Sequence, residues 1–305
     1  RMRQFITNFE ARIITLYREA GITSWNANIS GTDADLTLSE KASFEYTKVF
    51  TDAGAFNELR ELKESGVIKD SLLARQLDLL YDAYLGNQVD TNLISQRLKM
   101  ETEINKKYLN FRSKVNGREL SDNQVEDILR NSTNNSELQA AWEGHKMIGP
   151  IVAEDIIELV KHRNLIAQKL GFSTFHEMSL KLSGQDPDEV TSIFDELDNL
   201  TRDNFVSLKS DIDTYFSKLY RISTKELRPW HYQNRYFQEA PDIYPVNLDK
   251  YFSSQDPVKL AAAFYDGIGL NVDVILAKSD LYEKPGKNQH AFCTDINREG
   301  DVRTL

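Results

Sequence analysis

The stretch SGQDPDEV, residues 183–190, carries a strong helix-start signal. Asp186 is a preferred N-cap residue, Pro187 suits the first turn of a helix, and Glu189 takes the third position. The helix that begins here is long, because apolar residues recur after it at steps of three and four. They are Val190, Ile193, Leu197, Leu208, Ile212, Tyr215 and Leu219. The pattern predicts a mainly α fold.

Helical patterns fill most of the remaining sequence. The first predicted helix carries Phe5, Phe9, Ile13 and Tyr17 on one side, and Gly21 can end it. The Asp-Pro start returns at Asp256-Pro257. Further helices are predicted over about 37–64, 71–85, 92–115 and 136–170, the last with a break or kink at Pro150.

The C-terminal residues change character. Pro285-Gly286 forms a turn, and a short mixed run then extends from Gln289 to Ile296. A second turn leads to Val302–Leu305, so the pattern predicts a short β-hairpin near the C-terminal end. The sequence ends within the second predicted strand, which would leave backbone groups unpaired. We therefore expect the chain to be a piece of a longer protein.

Composition excludes several classes of function. The 305 residues carry a formal net charge of −10, whereas phosphate binding needs clustered Lys and Arg, so nucleic acid is not expected as a partner. No apolar stretch is long enough to predict a membrane span. The single cysteine, Cys293, excludes an intrachain disulfide and any cysteine-based zinc site.

The stretch STFHEMSL, residues 173–180, begins like the HExxH motif of zinc peptidases. That motif needs a second His one helical turn after the first, and Leu180 stands there instead. The stretch fits a helix start better, with Thr174 and Glu177 as a capping box. No metal site is predicted here.

The histidines form no other ligand pattern. No two of them are four residues apart; they are His145, His162, His176, His231 and His290. A nucleophile pair of Cys293 and His290 is disfavoured, because residues three apart on a strand point to opposite faces. The residues alone predict a soluble, acidic, helical protein.

Several strings together resemble one known family. SWNANIS, residues 24–30, is similar to the Trp-x-x-Asn segment after the N-terminal helix of angiotensin-converting-enzyme-like peptidyl dipeptidases, the M2 zinc metallopeptidases. RNLIAQKLGFSTFHEMSL and LSGQDPDEVTSIFDELDNLTRD resemble the helices that follow in the same order. DLYEKPGKNQHAFCTDIN, residues 280–297, is similar to the family's Glu-Lys-Pro turn and His-Ala edge strand. Oligopeptidases of the thimet and oligoendopeptidase type share the helical fold and are the close alternative.

The resemblance implies a mostly helical, two-lobed gluzincin with a deep channel, which releases C-terminal dipeptides from short peptides. Residues 1–114 would form lid-like helices, and residues 115–305 a channel wall that ends in the hairpin. The HExxH helix and the third Glu ligand would follow Leu305. This segment would then hold no zinc ligand and no catalytic residue, and would be inactive alone. Its partners would be short peptide substrates and the C-terminal zinc-binding half of the same protein.

The resemblance also implies substrate-binding residues. His290 and Ala291 match the family's His-Ala pair, in which the His donates a hydrogen bond to a substrate carbonyl and the Ala backbone pairs with the peptide. Gln233 resembles a Gln that binds the C-terminal carboxylate of the substrate, although its spacing from Trp230 is one residue longer than in the family.

Two other readings of the sequence stay open. One is a helical peptide-binding protein that has lost the zinc half, and the other is an all-helical scaffold that binds no peptide. Related families occur both exported and in the cytoplasm, and we slightly favour a periplasmic or secreted protein.

Overall fold

The computed structural model describes residues 1–241, 243–244, 246 and 249–305. Helices make up most of this part of the chain, which confirms the predicted mainly α fold. The helices are α1 Met2–Ser30, α2 Asp33–Lys48, α3 Ala53–Ser65, α4 Ser71–Leu85, α5 Thr91–Asn110, α6 Asp122–Asn131, α7 Asn135–Lys146, α8 Ile148–Lys169, α9 Phe175–Leu182, α10 Pro187–Tyr220, α11 Asp249–Phe252, α12 Pro257–Gly267 and α13 Asp273–Lys278. Short 3₁₀ turns cover Val49–Thr51, Thr224–Glu226 and Pro229–Tyr232.

Two antiparallel hairpins complete the described elements. Strand β1 (Ser113–Val115) pairs with β2 (Arg118–Leu120). Strand β3 (Cys293–Asp295) pairs with β4 (Val302–Thr304), so the predicted C-terminal hairpin is confirmed. Its first strand begins at Cys293, however, and not at Gln289.

The described residues form two compact units, each discontinuous in sequence. The first comprises Arg1–Asn110, Val152–Thr191 and Ile275–Leu305, and the second Phe111–Ile151 and Ser192–Val274. Neither unit coincides with the predicted segments 1–114 and 115–305. The roles expected for those segments stay predictions.

The core of the first unit lies between α1, α3, α4 and the turn at 49–51. Aromatic rings dominate it: Phe50 meets Tyr84 at a centroid distance of 5.4 Å and Tyr46 at 5.5 Å. Edge-to-face rings of this kind add to the burial of their apolar area. The buried side chains are Met2, Phe5, Ile13, Val49, Phe50, Leu59, Leu62, Leu77 and Tyr84.

Polar bonds fasten α8 to α5 in the first unit. His162 Nε2 donates to the Leu93 carbonyl at 2.8 Å. Arg163 pairs with Glu101 at 2.6 Å, and Lys107 pairs with Asp155. The histidine is therefore used in helix packing.

Helix α1 is longer than the sequence pattern predicts. Gly21 does not end it; the helix continues to Ser30 and ends at Gly31, whose φ of 60° is the left-handed C-cap conformation. The reason is that Ile22, Trp25 and Ile29 continue its apolar face into a second small core with Ile296 and Leu305. Gly21 serves packing instead, because a Cβ there would lie 2.6 Å from the Ile296 carbonyl oxygen.

Two other helix predictions were too long. The segment 37–64 is divided because Asp52 caps a new helix, accepting from the amides of Gly54 and Ala55 at 3.0 and 3.1 Å. Helix α5 ends at Asn110, and the last predicted residues, Ser113–Val115, form β1. Asn116 and Gly117 both have positive φ, 49° and 79°, the geometry of a tight hairpin turn.

In the second unit, α6 and α7 pack on the β1–β2 hairpin. The shared core consists of Val115, Val125, Leu129, Leu138 and Ala141. Gly144 lets α7 approach β1, since a Cβ there would lie 2.7 Å from the Lys114 carbonyl oxygen. A smaller core joins Ile212, Phe216 and Leu227.

Helix α10 begins as predicted, since Asp186 Oδ1 accepts from the amides of Asp188 and Glu189 at 2.9 and 3.1 Å. Its apolar stripe is less buried than the pattern indicates. Of the residues that define the stripe, only Ile212 is buried in the described structure. The exposed members are Ile193, Leu197, Leu208, Tyr215 and Leu219.

Other local predictions are confirmed. Helix α4 covers Ser71–Leu85, and α12 begins at Pro257 behind the cap Asp256. The break near Pro150 separates α7 from α8, with Pro150 in the first turn of α8, where a missing N–H costs little. Within the described ranges, no helix combines the length and apolar character that crossing a membrane requires.

The end of α1 packs on the turn at 285–286 through two glycines, so a side chain at Gly31 should destabilise the protein. A Cβ on Gly31 would lie 2.3 Å from the Gly286 carbonyl oxygen, whereas one on Gly66, the equivalent C-cap of α3 at the same φ of 60°, meets nothing within 4 Å. Gly66→Ala should cost about 1–2 kcal/mol for its left-handed backbone alone. Gly31→Ala should cost about 1–3 kcal/mol more, because backbone must also move. Chemical denaturation measures the free energy of unfolding of both variants. Equal losses of stability would show that the contact between Gly31 and Gly286 contributes nothing.

Candidate functional site

His290 and Ala291 lie in the first unit, immediately before β3. His290 is exposed, and its amide donates to Asn288 Oδ1 at 2.9 Å in a tight Asn turn. Neither residue is part of a paired strand. Ladder bonds begin one residue later, where Leu305 N donates to the Phe292 carbonyl at 2.9 Å.

The last turns of α1 position this segment. The Asn288 amide donates to the Asn28 carbonyl at 2.8 Å, and Asn288 Nδ2 donates to Asn28 Oδ1 at 2.8 Å. Asn28 Nδ2 in turn donates to the Ser24 carbonyl at 2.9 Å. Two hydrogen bonds therefore connect α1 with Asn288, two residues before His290, and a third orients the Asn28 side chain within α1. Sequence reasoning gave Asn28 only as the Asn of the Trp-x-x-Asn segment and did not single out Asn288, although an Asn two residues before His290 is a recognisable turn signal.

A buried ammonium fixes the preceding turn. Lys287 is only 5% exposed, and its Nζ donates to the carbonyls of Asp280 and Tyr282 and to Asp280 Oδ1, the last two at 2.8 and 3.1 Å. The ammonium groups of Lys284 and Lys287 hold the pKa of the Asp280 carboxyl below its usual range. Burial of a charge is tolerated here because all three N–H groups have acceptors.

His290 borders a polar cavity in the first unit. The cavity has a volume of about 350 Å³, within the roughly 300–1,000 Å³ typical of ligand sites. Apart from His290, no ionisable acid or base except the Tyr108 phenol lines it. Its walls come from α1, α2 and α5, and include Ser24, Asn28, Ser39, Thr102, Asn105 and Asn288. The arrangement suits hydrogen bonding to a neutral polar group such as a peptide amide.

The strand beside His290 has an open edge. Strand β3 pairs only with β4 in the described structure, so its other edge has no strand partner. No hydrogen bond of the Ala291 backbone to another described residue is found. An extended peptide can add to such an edge through main-chain hydrogen bonds.

Gln233 lies in the second unit, at the end of the 3₁₀ turn Pro229–Tyr232. Its backbone is left-handed, with φ of 61°, and its Nε2 donates to the Arg130 carbonyl at 3.1 Å. Neighbouring His231 is buried: its Nδ1 accepts from the Arg228 amide at 2.8 Å, and its Nε2 donates to Asn135 Oδ1 at 2.7 Å. Burial lowers the pKa of His231. His231 therefore has a structural role, and the carboxylate-binding role of Gln233 stays a prediction.

A family model described as angiotensin-converting enzyme, of peptidase family M2, matches residues 1–218. The chain belongs to the angiotensin-converting enzyme family. No curated protein sequence matched the chain. The matched residues include α1 to α9 and most of α10, and they confirm the family over the thimet-type alternative. His290, Ala291 and Gln233 lie outside the matched range, so their roles stay predictions.

Members of this family are zinc-dependent peptidases, but the residues described here do not fit a zinc site. No group of three His, Cys, Asp or Glu side chains that could hold a metal is found among them. In the HExxH-like stretch His176 is exposed on α9, and Glu177 accepts from the Ser173 amide at 2.9 Å and pairs with Lys181 at 2.6 Å. The Thr174 cap is present, since Thr174 Oγ1 accepts from the Glu177 amide at 3.1 Å. The return bond of Glu177 goes to Ser173 and not to Thr174.

The most strongly shifted histidine belongs to the second unit. His145, in the second unit, is 2% exposed, with its Nε2 3.2 Å from the Tyr236 hydroxyl. Burial, and then the charge of Arg235, lower its pKa from 6.5 to about 4. Arg235 pairs with Asp122 and Glu126 at 2.5 and 2.7 Å, and Lys146 also faces the cluster. Shifted histidines can mark active sites, but this one is not among the residues that line the cavity beside His290, and it holds α6, α7 and residues 235–236 together.

The Lys287 ammonium should be essential to the turn that precedes His290. Lys287→Met leaves three acceptors without their buried donor and should lower the free energy of unfolding by about 3 kcal/mol. The exposed Lys284, which pairs with the same carboxylate of Asp280, is the matched control, and Lys284→Met should cost under about 1 kcal/mol. Hydrogen exchange at the His290 amide should accelerate only in the Lys287 variant. Equal effects of the two variants would show that the turn does not depend on the buried ammonium.

His145 should make stability depend on pH. Because its pKa is lower in the folded than in the unfolded chain, the unfolded chain binds more protons between pH 6.5 and about 4. Stability is therefore full above pH 6.5 and decreases through this window, by on the order of 3 kcal/mol from this residue. His145→Gln should flatten that part of the curve, while His176→Gln on the surface of α9 should not. If the pH dependence of stability in His145→Gln were the same as in the parent protein, His145 would not be the residue responsible.

Proposed function

We propose that this chain forms the peptide-binding part of a zinc metallopeptidase that releases C-terminal dipeptides from short peptides. The observation that carries the proposal is membership of the angiotensin-converting enzyme family over residues 1–218. The open edge of β3, with an exposed histidine beside it, supports it from the structure.

In this proposal the chain binds and orients the substrate. An extended peptide lies along the free edge at Ala291 and bonds with its backbone N–H and C=O. His290 donates a hydrogen bond to the carbonyl at the cleaved bond and stabilises the negative charge that develops on its oxygen. Gln233 donates an N–H to the terminal carboxylate of the substrate. The neutral cavity beside His290 receives polar groups of the same peptide.

Zinc, which polarises the carbonyl and activates water in such enzymes, does not fit the described residues of this chain. The proposal therefore assigns its ligands and the general base to the C-terminal half of the same protein. Residues 1–305 alone would then be inactive. We also propose that the protein works outside the cytoplasm, which fractionation of the source cells tests.

The role of His290 is tested in the full-length gene product. Hydrolysis of a short peptide with a free C-terminal carboxylate should stop with a chelator and return with zinc. His290→Ala should lower kcat/KM by about a hundredfold, because it removes a donor to the developing oxyanion. His176→Ala, an exposed histidine in the same unit, is the matched control and should change nothing.

Four outcomes would contradict parts of the proposal. Activity that survives the chelator would exclude a zinc peptidase. Equal cleavage of the same peptide with an amidated C-terminus would exclude recognition of a terminal carboxylate. An unchanged kcat/KM in His290→Ala would remove this histidine from the site. Peptide binding without hydrolysis by the intact gene product would favour the non-catalytic alternative.

A further inference from the structure

A second cavity lies in the first unit, between α1, α4 and the turn between β3 and β4. Its volume is about 590 Å³, larger than the cavity beside His290, and within the roughly 300–1,000 Å³ of typical ligand sites. It shares no lining residue with the cavity beside His290.

Apolar side chains form the walls and floor of this cavity. Ile14 of α1 and Leu79 of α4 remain 49% and 51% exposed at its walls, although both are large and apolar. The floor comprises Phe9, Ile13, Tyr46, Phe50 and Leu80. The lining extends along α1 from Ile6 to Tyr17, roughly 16 Å at the rise of an α-helix. A long, narrow apolar chain fits this shape.

One cation lies at the Tyr17 end of the cavity. The guanidinium of Arg298 lies over the Tyr17 ring, with its central carbon 4.3 Å from the ring centroid. The guanidinium forms a hydrogen bond with the Tyr17 phenol, and the charge of Asp295 also acts on it; no ion pair of Arg298 with a carboxylate is found among the described residues. Most of its donors are therefore available to an anionic group.

The turn that carries Arg298 is held in one conformation. Asn297 Oδ1 accepts from the amides of Glu299 and Asp301 at 2.9 and 3.1 Å. Asp295 Oδ2 accepts from the Gly300 amide at 3.1 Å. Arg298 itself has a left-handed backbone, with φ of 58°, a conformation that a non-glycine residue adopts only when its surroundings fix it. A preorganised cation binds an anion at a lower entropic cost.

Two carboxylates also line the cavity, and their negative charge opposes the positive charge of Arg298. Glu10 lies two helical turns from Tyr17, about 10 Å along α1, and Glu299 is the neighbour of Arg298. Both are exposed, so solvent screens their repulsion of an anion. The fixed cation over Tyr17 is the group that faces the apolar lining.

We infer that this cavity, named here the α1–α4 groove, binds a medium-chain aliphatic carboxylate, with its carboxylate on Arg298 and its chain between Ile14 and Leu79. The apolar chain removes the exposed parts of both side chains from water. The carboxylate forms charge-assisted hydrogen bonds with the guanidinium. The inference does not depend on the proposed peptidase activity.

Calorimetric titration of decanoate into the intact chain tests this inference. We expect saturable binding to one site, weakened at least about tenfold in Arg298→Gln, the scale of a lost charge-assisted hydrogen bond. Arg18→Gln, an exposed arginine on α1 outside the groove, is the matched control and should bind as the parent does. Decanol, which has the same chain without the charge, should bind at least about tenfold more weakly.

A second pair of variants tests the apolar wall. Ile14→Glu places a carboxylate on an exposed wall position without disturbing the core, and should abolish decanoate binding. Leu72→Glu, on α4 at a position 69% exposed and outside the groove, should leave binding unchanged. Circular dichroism verifies that each variant is folded, and Leu79→Glu replaces Ile14→Glu if that variant is not. No decanoate binding, equal binding of decanol, or full binding by Ile14→Glu would overturn the inference.

Discussion

The arrangement of the candidate site depends on two glycine backbones that touch at the end of α1. Gly31 ends the helix in the left-handed conformation, and the oxygen of Gly286 lies where a Cβ of Gly31 would be. Because both residues lack a side chain, the turn at 285–286 packs directly on the helix terminus. Lys287 and Asn288 then follow within reach of their partners, so His290 is carried at a fixed distance from α1. A side chain at either glycine would separate the two backbones.

The residues that fix the site are mainly polar. Their polar groups have hydrogen-bond partners, without which burial would cost free energy. Lys287 has three acceptors, and Asn28 and Asn288 bond each other through both backbone and side chain. Around His290 these bonds are complete, whereas the facing edge of β3 has no strand partner in the described structure. A rigid polar support next to an open strand edge is the arrangement that peptide addition needs, because the free protein then loses little entropy on binding.

Local signals predicted local structure well. The Asp-Pro starts at Asp186 and Asp256 and the Thr174 cap are properties of a few adjacent residues, and the structure contains them. The sequence predictions failed where distant contacts decide: Gly21 looks like a helix end, but its neighbour is Ile296, far along the chain. The β1–β2 hairpin was missed despite its Asn-Gly turn, because the helical pattern before it was extended too far. The candidate site came from resemblance, since no spacing along the chain reveals that Asn28 meets Asn288.

The cavity beside His290 and the α1–α4 groove lie at opposite ends of one strand. His290 precedes β3 at one end, and the turn of Arg298 follows it at the other, with only Cys293–Asp295 paired between them. The turn before β3 and the turn after it are each held by their own hydrogen bonds, from Asn288 to Asn28 and from the amides of Glu299 and Gly300 to Asn297 and Asp295. A ligand can change a second site only as far as it prefers one of two conformations. Because both turns are already fixed, a peptide at Ala291 and a carboxylate at Arg298 should bind without changing the affinity of each other.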